Sequence, residues 1–450
     1  MSLASTKNMP AFAFTILVLA LAGLDVWFIH NGTLDVVYAD TWGYMRLVGD
    51  FLDRRLSVGE FFEAHNQNRT PVLDLLLLGS AALDRFNQRH LDYVSVLLAV
   101  ANTVLIVKLL PHEASKSAKA IVALAIAFLG LSLGQQENLL LSINVTFYLV
   151  VTFSILSIIA LNRSLAAATG GERYRQLALA VGLSGLALLS MGGGAVLWIV
   201  NMIQIALTVR HGARKAVPVL LVYGATGATF LLVYGLGLHQ QNPALFLLAE
   251  RPLSFFKFLL IESGRTVVGF FDNQPAIGLS MGVGAFVYLC CAAALVSYVR
   301  RPVAEKREMA VGFSLLMLGL GEQVLIASGR LSFGVEYAAA SRYTTLNMMA
   351  VVGALLLLSY RSARSKPHAL LTAMLAVAVC GFTAVADYNE ISMAAARRDY
   401  ALGLQNILRR GAIGPDELVT LQWPNADDVT NGNATLRRHR LSFYGREPAE

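Results

Sequence analysis

The stretch AHNQNRTPVLDLLLLGSAALD, Ala64 to Asp84, decides how the rest of the chain is threaded. Five polar residues, His65 to Arg69, stop at a Thr70-Pro71 step, and an apolar run follows at once. Proline is tolerated in a first helical turn, so the step reads as a helix start. At about 16 residues the run 70–85 is barely long enough to cross a bilayer. If it crossed, every later loop would change sides.

The remainder of the chain sets the test. Of 450 residues, 56% are hydrophobic and 14% charged, with mean hydropathy +0.58; soluble domains carry about 25% charged residues. Long apolar runs recur between short polar loops, which predicts an all-α polytopic membrane protein. About eleven transmembrane helices are expected: 11–29, 91–110, 119–134, 144–161, 176–190, 195–209, 216–236, 277–299, 309–327, 344–360 and 368–386. No small-residue cleavage site cleanly follows the first run, so it reads as a retained span rather than a signal peptide.

With the N-terminus inside, the inner loops hold Lys108, Lys116 and Lys119, then Arg163, Arg173 and Arg175, then Arg210, Arg214 and Lys215. Next come Arg300, Arg301, Lys306 and Arg307, and finally Arg361, Arg364 and Lys366. This positive-inside pattern holds only if 70–85 stays on the outer side, as a juxtamembrane helix. It also accounts for much of the net charge of +7 without a nucleic-acid partner. Among the acids, Glu113, Glu172, Glu305 and Glu308 fall inside and Asp25 within the first span, while the rest are assigned to the outer side. The expected domains are a transmembrane unit, 1–386, with a long first outer loop at about 30–90, and a small outer region, 387–450. In the latter, RRDYALGLQNILRRG reads as an amphipathic helix and DELVTLQWPN as a strand and turn. No internal repeat is visible.

The polar chemistry collects on the outer face. LDVVYADTWGYMRLVGDFLDRR predicts an amphipathic helix from about Thr41 to Arg54 with Asp40 at its N-cap; a carboxylate placed there also suits a general base. LGQQENLLLSIN carries Glu137, Asn138 and Asn144; IESGRTVVGFFDNQP carries Glu262, Arg265, Asp272 and Asn273. LHQQNP follows the seventh span, and GEQVLIASGRLSFGVEYAAASRYTTL carries Glu322, Arg330, Glu336, Ser341, Arg342 and Tyr343. Each loop alone is compatible with ordinary solvated caps. Together they bring carboxamides, acids and arginines to one face, and guanidinium groups suit a phosphate. SMGGGAVLW, Ser190 to Trp198, lacks the flanking pattern of a nucleotide-binding loop and reads as a tight hairpin. The three cysteines, Cys290, Cys291 and Cys380, lie in apolar runs and imply neither disulfide nor thiolate metal site. No spacing resembles a zinc site. No cofactor is implied with certainty; a divalent cation, Mg2+ or Mn2+, between Asp40 and a phosphate stays open.

The first outer loop resembles the GT-C superfamily of integral-membrane glycosyltransferases, in particular the protein O-mannosyltransferase and aminoarabinose-transferase branch. ADTWGYMRLVGDFL corresponds to that family's Asp segment. HNQNRTPVLDLLLL corresponds to its second motif, with Arg69-Thr70-Pro71-Val72-Leu73 in place of Lys-Pro-Pro-Leu. The match covers roughly residues 1–110. Thr41 stands where an acidic partner is usual, and Thr70 where a proline is. The resemblance implies a polyprenyl-phosphate-linked sugar donor, and Asp40 as the base that takes the acceptor's proton. It implies Arg69 beside the donor phosphate, with Arg265, Arg330 and Arg342 as further phosphate candidates. His65, Asn68, Glu137, Asn138, Glu336 and Tyr343 are the candidate substrate contacts. One direct displacement would invert the anomeric carbon.

The acceptor is a glycan (lipopolysaccharide among them), a lipid or a protein. The expected setting is the inner (cytoplasmic) membrane, among membrane lipids, with the site facing the periplasm. A flippase for a lipid-linked glycan and a non-catalytic envelope assembly subunit are the competing readings. A flippase would need polar residues at several depths, whereas here they gather on one side.

Overall fold

A computed structural model describes residues 11–65, 68–238, 248–271 and 274–446. Asn66, Gln67, Asp272, Asn273 and the LHQQNP segment from 239 onward therefore lie outside the described residues. The fold is helical. Nine helices among the described residues are long and apolar enough to cross a membrane, from Phe12–Gly32 to Lys366–Arg410. Two further expected spans are helices as well: Gly170–Ser190, which opens on the polar GGERYR, and Gly194–Arg210, which is shorter.

In chain order, α1 (Ala11–Gly32) leads into the first outer loop with α2 (Met45–Leu52), α3 (Val58–Phe61) and α4 (Pro71–Asp84). Then follow α5 (Gln88–Val107), α6 (Lys116–Gly130), the short α7 (Gln136–Leu140), α8 (Val145–Ala166), α9 (Gly170–Ser190), α10 (Gly194–Arg210) and α11 (Val217–Gly235). The second half holds α12 (Pro252–Val268), α13 (Ile277–Val299), α14 (Val303–Arg330), α15 (Thr344–Ser359), α16 (Lys366–Arg410), α17 (Pro415–Leu421) and α18 (Ala426–Arg438). Two antiparallel ladders complete it, Ala64–His65 with Asn68–Arg69 and Phe270–Phe271 with Gln274–Pro275.

The deciding stretch forms α4, with Pro71 in its first turn and Arg85 and Phe86 beyond its end in left-handed conformation. Its 14 residues rise only about 21 Å, short of a ~30 Å hydrocarbon core. Leu73, Leu77 and Leu78 are buried, whereas Leu75 and Leu83 are exposed, the two-sided character of a juxtamembrane helix. The basic loops meet at one end. Arg364 pairs with Glu113, the Tyr360 hydroxyl donates to Glu308, and His368 lies 3.1 Å from Ser297.

Three expectations need correction. The segment expected as an outer loop around Glu262 and Arg265 is the helix α12, and both side chains are buried. It packs on α13 so closely that a Cβ on Gly264 would meet the Ser280 carbonyl, and one on Gly284 the Leu260 carbonyl, the small-residue contact of packed membrane helices. Asp92 and Glu322, counted as outer acids, are likewise buried, on α5 and α14. Finally, DELVTLQWPN contains a helix, α17, in place of a strand. α16 runs unbroken through position 387 for 45 residues, about 68 Å.

The C-terminal region and the first outer loop share one apolar core. Val37, Trp42, Met45 and Val48 pack with Leu73 and Leu77 of α4 and with Leu404, Leu408, Leu421 and Leu436 from the C-terminal end. α18 is well terminated: Asn425 caps it by accepting from the Asp427 and Asp428 amides, and Arg437 and Arg438 lie in its last turn.

Candidate active site

Asp40 stands in a 3-10 turn, Ala39–Tyr44, that precedes α2. The predicted N-cap role is not seen: Tyr38 occupies the cap position and no side chain caps the turn. Ala39 has φ +50°, a left-handed conformation that costs an alanine roughly 1–2 kcal/mol. Such strain is held only where the surroundings fix it. Here Thr41, Trp42 and Tyr44 are buried, and the Tyr38 hydroxyl donates to the Leu140 carbonyl at 2.9 Å. The buried neighbours hold the turn while Asp40 itself is exposed.

Asp40 opens onto a cavity of ≈ 470 Å³ that Glu137, Tyr337, Arg342, Arg397, Tyr400 and Gln422 also line. Glu137 is on α7. Its Oε2 accepts from the Ser341 hydroxyl (3.0 Å) and the Arg342 amide (2.9 Å), and its Oε1 lies 3.6 Å from the Arg342 guanidinium. Asn138, next along, donates to the Arg342 carbonyl (2.8 Å) and to Thr345 (2.7 Å). These bonds clamp the turn 341–343 against α7. The Arg342 guanidinium lies 5.4 Å from the Tyr337 ring and 5.5 Å from the Tyr343 ring and donates to the Tyr337 hydroxyl at 2.7 Å. Its direction is thereby fixed by aromatic and hydrogen-bonded contacts. From α16, Arg397 pairs with the buried Glu390. α16 is tied down nearby, since Asp387 accepts from the Ser132 hydroxyl and the Leu133 amide, both at 2.8 Å.

The other predicted residues sit elsewhere. Arg69 spends its guanidinium on backbone: Nε donates to the Tyr234 carbonyl at 3.1 Å, and the terminal nitrogens donate to the Phe62 and Leu236 carbonyls. It is a cation closing the C-terminal end of α11, and it does not line the cavity of Asp40. Arg265 donates to the Ala339 carbonyl at 3.0 Å from within the bundle, where Glu390 and Glu137 are its electrostatic partners. Arg330 lies over Phe333 at 5.8 Å. Glu336 is exposed beside Gly334, whose φ is +116°. His65 stacks on Tyr44 at 4.4 Å, and burial lowers its pKa. It borders a second cavity of ≈ 410 Å³ with Trp42, Arg46 and Arg438. The Asn68 side-chain Oδ1 accepts from the Gly192 amide at 2.9 Å.

That last bond explains the glycine run. A Cβ on Gly192 would lie 2.7 Å from Asn68, one on Gly193 2.9 Å from the Glu322 carboxylate, and one on Gly194 would strike the Ala187 and Leu188 backbone. Arg397, Glu390, Tyr400 and Gln422 escaped the sequence reading because they lie in the tail. The available signal was the pairing of Glu390 with Arg397, two turns apart on one helix face.

Among the described residues no three His, Cys, Asp or Glu side chains are grouped to hold a metal ion. Glu137, the acid sharing the cavity with Asp40, is already engaged by Ser341 and Arg342. Positive charge in the cavity comes from arginine.

No family model matches the sequence, and no curated protein matches it. Among solved structures, the archaeal oligosaccharyltransferase AglB from Archaeoglobus fulgidus, in complex with an inhibitory peptide and a dolichol-phosphate, aligns at TM-score 0.50. Identity is 13%, over 93% of this chain and 60% of that one. An oligosaccharyltransferase of the same organism in complex with Zn and sulfate gives TM-score 0.46 at 14% identity, covering 91% and 57%. ArnT from Cupriavidus metallidurans in the apo state gives 0.35 at 14%, covering 96% and 89%. In fold the chain resembles the archaeal oligosaccharyltransferase AglB. It spans about 60% of the length of AglB.

Proposed function

We propose that the chain is a glycosyltransferase that moves a sugar from a polyprenyl-phosphate-linked donor to a hydroxylated acceptor on the outer, periplasmic face of the cytoplasmic membrane. The observation that carries this reading is that an exposed carboxylate, Asp40, and two anchored guanidinium groups, Arg342 and Arg397, line one cavity. In the proposed reaction the acceptor hydroxyl loses its proton to Asp40 as its oxygen bonds to the anomeric carbon. The bond from that carbon to the phosphate oxygen breaks, and its electron pair leaves with the phosphate. Arg342 and Arg397 stabilise the charge that develops there, in a cavity where they are preorganised. Glu137 is a positioning residue, holding the Arg342 turn through three contacts. A single displacement inverts the sugar. The dolichol-phosphate in the AglB complex is a lipid phosphate of the class this donor would belong to.

The reading is tested in proteoliposomes with a panel of undecaprenyl-phosphate sugars and a membrane glycan extract as acceptor. Asp40→Asn is expected to lower transfer by about 10²–10⁴-fold, the usual worth of a general base, with unchanged thermal stability because the side chain is exposed. Full activity in the folded variant rejects Asp40 as the base.

A further inference from the structure

We infer that Tyr400 and Gln422, on the tail side of the cavity, form the subsite for the donor's sugar ring, a neutral polyhydroxylated ligand. The inference rests on the donor reading above. The cavity separates two kinds of chemistry. One set of lining residues is cationic, Arg342 and Arg397; Tyr400, Gln422 and Gln136 are uncharged. Amides and phenols pair with hydroxyls that both donate and accept, and aromatic faces suit the apolar side of a ring.

Gln422 carries an independent sign of this use. It follows α17 at φ +54°, the left-handed closing position where glycine is the unstrained residue. At that position the glutamine side chain makes a defined contact. Its Nε2 donates to the Tyr400 hydroxyl at 3.1 Å, and that hydroxyl donates in turn to the Thr420 carbonyl. The direction of the amide is thus set, and Oε1 has no protein partner among the described residues. It remains as an acceptor at the cavity rim. Tyr400 is held from the other side by an edge contact with Tyr38, centroids 6.4 Å apart.

The test compares binding of undecaprenyl phosphate with that of a panel of undecaprenyl-phosphate hexoses and pentoses, on the full chain in nanodiscs. At least one sugar-bearing lipid is expected to bind more tightly than the bare phosphate. Gln422→Gly is expected to erase about fivefold of that gain, the scale of one neutral hydrogen bond, without weakening the bare phosphate. It should also leave the melting temperature equal or higher, which a purely structural glutamine would not. Tyr400→Phe should reduce the gain in the same way, because it frees the Gln422 amide. If the gain survives both variants, or if no sugar adds affinity, the subsite is refuted. If undecaprenyl phosphate itself fails to bind, the donor reading falls first and takes the subsite with it.

Discussion

At the residue scale, the site is built by orientation. Arg342 is aimed by two rings, a hydroxyl and the Glu137 carboxylate. Lysine keeps the charge but loses the planar fork, so Arg342→Lys is expected to lower kcat by about tenfold or more while the fold persists; an unchanged kcat in a steady-state assay would remove Arg342 from the reaction. Glu137→Gln leaves one acceptor for the Ser341 and Arg342 contacts and should slow transfer less than Asp40→Asn does. Gly194→Ala places a Cβ against rigid backbone, and overpacking of this kind costs about 1–3 kcal/mol. Its melting temperature in detergent should fall accordingly. Asp40 stands out in the sequence as a carboxylate shortly after the first apolar run, and the structure places it on a cavity; its role as the base is the proposal above. Arg69 donates to carbonyls in this structure; in sequence, a cation beside a helix-starting proline looks the same whether it meets a phosphate or a row of carbonyls.

At the element scale, α12 shows why apolar runs alone miscount helices. Lys257, Glu262 and Arg265 interrupt its pattern, yet the helix is held by close backbone contact at Gly264 and Gly284. Gly284→Val should destabilise the bundle more than a substitution at Gly282, where a Cβ meets open space; equal melting temperatures would contradict the packing. α4 carries a titratable core group. Asp74 is wholly buried, with the Thr70 side chain as its polar neighbour. Burial pushes its carboxyl up to about 7, with Thr70 acting the other way. Between about pH 4 and 7 the folded chain holds a proton on Asp74 that the unfolded chain has lost. The Asp74 contribution to stability is therefore fully present below about pH 4 and is lost as pH rises toward about 7. Asp74→Asn should flatten that slope in thermal melts from pH 5 to 8; an unaltered slope would assign the effect elsewhere.

At the scale of the whole molecule, the loop after the first span and the C-terminal region make one body. The positive-inside pattern placed both ends of that body on the same side, which local composition alone could not do. Their shared core was not legible, since it joins Val37 and Trp42 to Leu404 and Leu436 across most of the sequence. The site inherits that closure, with Asp40 from the first loop and Arg397, Tyr400 and Gln422 from the last segments. In a background without native cysteines, a cysteine at Val419, which is 79% exposed, should react with an impermeant maleimide added to spheroplasts. One at Glu305 should react only after permeabilisation. The reverse pattern would turn the molecule over.

The central claim is that a lipid phosphate seats against Arg342 and Arg397 in the cavity that Asp40 shares. A cryo-EM structure of the full chain in nanodiscs with undecaprenyl phosphate tests it most directly. The expected result is phosphate oxygens within about 3 Å of both guanidinium groups, with Asp40 facing the open side of the same cavity. Phosphate density at Arg69 or Arg330, with the Asp40 cavity unfilled, would contradict the account.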